Sequence, residues 1–143
     1  VNVERDFGFE AAARLDGEVW ENTARAQSHR LKKLLNLGDD LQSLAVVLKF
    51  CAAQWVPSGF TWEFLEVSAD KLVMQVNQCP MGTYRDAQNL PLIPCKHGAV
   101  NLYAALAKAI NPAIETTCLH AHPDPRIENV MCRWEFILND NEK

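Results

Sequence analysis

Four of the five cysteines, Cys79, Cys95, Cys118 and Cys132, fall in the second half of the chain, together with His97, His120 and His122. Thiolate sulfur and imidazole nitrogen are the ligands zinc takes most readily, four at a time and in a tetrahedron about 4 Å on an edge. None of these cysteines forms a C-x-x-C pair, so a site built from them must gather ligands from distant segments. The expectation is a zinc site of Cys79, Cys95, Cys118 and Cys132. His120 and His122 are alternative ligands, or groups that orient the thiolates from outside. Cys51 stands apart from any histidine and reads as a small buried hydrophobe.

Cys95 also supports a different chemistry. The run Pro94-Cys95-Lys96-His97-Gly98 puts a thiol at the start of a helix, where the dipole and a neighbouring Lys or His lower its pKa. With His97 or His120 as base, Cys95 would act as a nucleophile, a reading that leaves the other thiols idle. Asp86, Glu115 and Asp124 are carboxylates that could orient a histidine. No phosphate-cradling glycine loop and no dinucleotide-binding fingerprint occurs.

The elements that must position these residues follow from periodicity. Phe9 to Leu35 repeats at helical spacing, with Ala12, Leu15, Val19, Ala26, Leu31, Leu34 and Leu35 expected inward, and Gly38 closing the helix. Asp39 with Gln42 resembles a capping box opening a second helix through Leu41, Leu44, Leu48, Cys51 and Trp55, stopped by Pro57 and Gly59. Phe60, Trp62 and Phe64 alternate and then slip phase at Leu65, the mark of a bulge. A turn at Ser68–Lys71 leads to Leu72, Met74 and Val76, so the two segments read as a hairpin. Pro80 to Pro94 reads as a loop, and a third helix runs from Lys96 to Asn111. In the tail, Cys118, His120 and His122 are expected on one strand face, with Cys132 and Trp134 on the partner strand and His120 opposite Cys132. The fold class is α+β: an antiparallel sheet of about four strands, with N-terminal helices and one further helix packed on it.

These residues also carry a resemblance. Cys95-x-x-Gly98 with its apolar helix, Glu115-Thr116-Thr117-Cys118, and Cys132-x-x-Glu135-Phe136 resemble the tail of vinyl-4-reductase-type domains. Phe7-Gly8-Phe9-Glu10-Ala11-Ala12, with the Cys79, Cys95 and Cys132 tail, resembles the bacterial L-2-amino-thiazoline-4-carboxylic acid hydrolase-like group. The first resemblance implies a small-molecule-binding α+β domain with zinc on Cys95, Cys118 and Cys132, and Cys79 nearest the place of a fourth, carboxylate ligand. The second implies hydrolysis of a non-peptide C–N bond in a small heterocycle. A shared scaffold does not fix function, so a non-catalytic interaction subunit stands beside both.

Composition bounds the remaining classes. At 143 residues the chain is sized for one domain, 1–143. A net charge of −4, with no basic run beyond Arg30, Lys32 and Lys33, argues against nucleic acid. No apolar run reaches the length of a membrane span. The opening residues lack a secretory pattern, which makes a cytoplasmic location the expectation. A small-molecule ligand is the expected partner, and a homo-oligomer is compatible with the composition. Trp20, Trp55, Phe60, Trp62 and Tyr103 are the candidates to line a ligand pocket.

Overall fold

Residues 2–51 and 59–139 are described by the computed structural model. In chain order they form α1 (Asn2–Phe7), α2 (Phe9–Leu34), α3 (Leu41–Phe50), β1 (Thr61–Val67), β2 (Lys71–Gln78), α4 (Pro80–Ala87), α5 (Cys95–Ile110), β3 (Ile114–Ala121) and β4 (Cys132–Leu138). The strands make one antiparallel sheet in the order β1-β2-β4-β3. The α+β expectation therefore holds, including the bulge in β1, which lies between Phe64 and Glu66.

One face of the sheet is the core. Leu72, Met74, Val76, Trp134 and Phe136 point there and are sealed by Leu44 and Leu48 of α3 and Leu102, Leu106 and Ile110 of α5. Each such side chain contributes about 1.5–3 kcal/mol by leaving water. The opposite face is a polar lattice. Arg133 donates to Gln75, Gln75 to Asn77 and Asn77 to Glu63, while Lys71 bridges Glu66 and Glu135.

Helix α2 buries a different face from the one its leucines suggest. Leu15, Val19 and Leu34 are 39%, 62% and 78% exposed, whereas Gly17, Ala24 and Ser28 are buried. Close approach to α5 selects the small residues: a Cβ on Gly17 would lie 3.7 Å from the Gly98 Cα, and the Ser28 hydroxyl donates to the Leu106 carbonyl at 2.9 Å. The second cap also differs. Asp40, not Asp39, opens α3, its carboxylate accepting the Ser43 N–H at 2.7 Å, while Asp39 pairs with Lys32. The helix stops at Phe50, and Cys51 is already extended. Trp55 and Pro57 lie outside the described residues.

The segment after β2 is not all loop. Pro80 sits in the first turn of α4, where its missing N–H costs nothing. Gly82 lets this helix lie against Met131, whose terminal methyl would be 2.3 Å from an added Cβ. Among the described residues, no helix is long and apolar enough to cross a membrane.

Candidate functional site

Antiparallel pairing brings the chemistry to one end of the sheet. Strand β2 finishes beside the start of β4, with Val76 opposite Cys132, and β3 finishes there too, with Ala121 opposite Cys132. Cys79 follows β2 directly and is the residue from which α4 departs. Cys95 is the first residue of α5, whose start is tied to the end of β3 by the Lys96 N–H donating to the His122 carbonyl at 3.0 Å. Cys118 pairs with Trp134, two positions along β4 from Cys132, so both thiols lie on the core face.

Two of these thiols, Cys95 and Cys132, feel the others. Burial pushes Cys95 up to about 11, and negative charge on Cys79, Asp16 and Cys118 would push it the same way. Cys132 is raised to about 12, first by burial, with Cys95, Cys79 and Cys118 adding to the effect. Cys118 is raised as well, again chiefly by burial; the Lys96 ammonium and the His120 N–H pull against it. The expected lowering of Cys95 by its helix start is thus overturned. Desolvation of a thiolate outweighs the dipole of one helix end where, among the described residues, no cation is a cause of the shift.

The histidines are distributed otherwise than a regular strand predicts. A bulge between Cys118 and His120 shifts the register, so His120 pairs with Arg133 instead of Cys132. Its Nδ1 lies 3.9 Å from Asp124, which is itself held by Lys96 at 2.7 Å. His97 is exposed on α5. His122 is the one of the three that borders the same cavity as the thiols.

That cavity, about 160 Å³, lies between α2, α4, α5 and the thiol end of the sheet. Cys79, Cys95 and Cys132 form part of its wall, with Trp20, Phe60, Tyr103, Leu102 and Met131 supplying apolar surface. Of the lining candidates from sequence, Trp20, Phe60 and Tyr103 take that place. Trp62 instead packs edge-on against Phe64, with ring centroids 5.0 Å apart.

Two charged residues in the wall escape a motif search. Arg85 is buried, but its guanidinium makes two hydrogen bonds to the Glu4 carboxylate at 2.9 and 3.0 Å and a third to the Pro91 carbonyl. Asp16 is half-buried, its carboxyl raised by that burial and partly relieved by the Trp20 indole N–H. Among the described residues, no cation pairs with Asp16. The signal that could have found it is its company on the inner side of α2, beside Ala13, Gly17 and Trp20.

The thiols can be weighed against zinc on the structure itself. Among the described residues, no three thiol, imidazole or carboxylate groups already stand at ligating separation, so a metal would have to draw the sulfurs inward. The donor chemistry suits it, and a buried orphan points the same way. Trp134 Nε1 is fully buried and meets no acceptor at hydrogen-bond geometry, and the sulfur it faces is that of Cys132, whose ionised form it favours. A metal-bound thiolate accepts such an N–H, which a neutral thiol does poorly.

Fold and site together define an α+β domain with a small apolar cavity walled on one side by thiols. The chain belongs to the family of unknown function DUF6125, whose model matches residues 1–138. No curated protein matches it.

Proposed function

We propose that this domain holds one zinc ion through Cys79, Cys95, Cys118 and Cys132 and binds a small molecule in the adjoining cavity. The observation that carries the reading is the convergence of four thiols from four separate segments on one end of the sheet, three of them in the wall of one cavity. Partly buried thiols this near one another, with Cys95, Cys118 and Cys132 raised by burial, are poor company when ionised. A divalent cation removes that repulsion, and the orphaned Trp134 N–H gains its acceptor. All five cysteines are free, as a reducing cytoplasm would keep them. When bound, the zinc would supply cross-linking of β2, α5, β3 and β4. A closed set of four thiolates leaves no coordination place for water.

The test is elemental analysis followed by X-ray absorption on protein purified without chelator. The expected result is about one zinc per chain with four sulfur neighbours at about 2.3 Å. Metal-free protein with freely titratable thiols overturns the proposal. Two or more nitrogen neighbours and a water overturn the closed site. His122, at the cavity, would then be the natural replacement ligand, and metal-activated water acting on a small heterocycle's C–N bond would become the better reading.

A further inference from the structure

We infer that the cavity selects a ligand of one ring bearing a cationic nitrogen, and that Asp16 is the group that recognises it. The inference rests on the cavity being a ligand site, and it adds the chemical class.

Size comes first. A cavity of about 160 Å³ is close to the roughly 150 Å³ that holds a benzene molecule in an engineered protein core. One six-membered ring with a short arm fits. The walls set the body of the ligand as apolar, since Trp20, Phe60, Leu102 and Met131 offer it no polar partner in the cavity.

Charge sets the arm. Four ionisable side chains besides the thiols border the space: Asp16, Arg85, His122 and the phenol of Tyr103, which is neutral at pH 7. Arg85 is committed to Glu4 and Pro91, so its positive charge is already answered and gives an anionic ligand little to bind. Among the described residues, Asp16 is answered by the Trp20 indole N–H, a neutral donor. A half-buried carboxylate with no counter-ion among the described residues is costly on its own and favourable to an ammonium or amidinium that joins it, because the surrounding dielectric is low.

The experiment uses the protein as purified and three probes of one shape: benzylamine, benzyl alcohol and benzoate, with dissociation constants from protein-observed NMR titration. The expected order is benzylamine about tenfold tighter than benzyl alcohol, with benzoate weakest. Asp16→Asn should bring benzylamine to the level of benzyl alcohol and leave benzyl alcohol unchanged. Equal binding of amine and alcohol by the natural chain overturns the inference without needing any variant, and so does an amine preference that survives Asp16→Asn; in both cases the cavity remains a ligand site. No binding of any probe at millimolar concentration overturns the cavity reading itself.

Discussion

Asp16 occupies a position on α2 where its neighbours toward α5 are alanine, glycine and tryptophan, and burial there raises its pKa. The sign of the consequence follows from linkage. A carboxyl whose folded pKa lies above its unfolded value of 3.8 favours the fold most below that value and loses the contribution as pH rises through the folded pKa. At neutral pH the ionised group therefore opposes folding, and a neutral isostere does not. Asp16→Asn is expected to melt higher than the natural chain at about pH 7, with the difference shrinking as the pH falls toward about 4. Thermal melts across that range are the check; a variant less stable at pH 7 would mean that the carboxylate has a partner the geometry does not provide. A surface carboxylate such as Asp86, whose pKa is instead lowered by its hydrogen bonds from Arg126, should show the opposite trend when neutralised.

At the scale of elements, the start of α3 offers a clean discrimination. Asp40 accepts the Ser43 N–H and its carboxyl is held low by that bond, whereas the neighbouring Asp39 makes an exposed pair with Lys32. Asp40→Ala should cost about 1 kcal/mol, the typical value of an N-cap, and Asp39→Ala much less, since exposed pairs contribute little. Both are read from denaturant midpoints at unchanged slope. The sequence pointed one residue early because Gln42 completes the capping-box spacing from Asp39, whereas Asp40 has Ser43 at that place and caps through its N–H alone. Strands, by contrast, were legible: alternation at Trp62 and Phe64, at Leu72, Met74 and Val76, and at Trp134 and Phe136 matches the core face observed. Three features were not legible. α4 is too short and too polar to register a helical period. The bulge that shifts His120 to Arg133 has no glycine to announce it. The inner face of α2 is set by how closely α5 approaches, a tertiary fact, so small residues there outrank the leucines that hydropathy favours.

In the molecule as a whole, the thiols converge where a cavity adjoins the end of the sheet. At that end, β2, β3, β4 and α5 finish or begin together, and a cavity takes the place of packed side chains. The gathering of the cysteines was foreseeable from their types; their order in space, and the inclusion of Asp16 and Arg85, was not, because it depends on strand order and on how helices cross the sheet end. A metal at such a point would act on the entire fold, since ligands scattered along 54 positions of chain, Cys79 to Cys132, are uncommitted when it unfolds and binding energy becomes folding energy. Cys118→Ser and Cys132→Ser should then lower the melting temperature by about 10 °C or more, while Cys51→Ala, at a sulfur that contacts Gln27 rather than the other thiols, should cost a few degrees at most. Melting alone would not separate a lost ligand from a disturbed core, so the same melts are repeated after exhaustive chelation. If zinc is the link, chelation lowers the natural chain to the level of Cys118→Ser and Cys132→Ser and leaves those two nearly unmoved, a non-additivity that marks groups acting on one shared partner. Should the two serine variants remain as far below the natural chain after chelation as before it, their effect is one of packing, and the thiols are ordinary wall of the cavity.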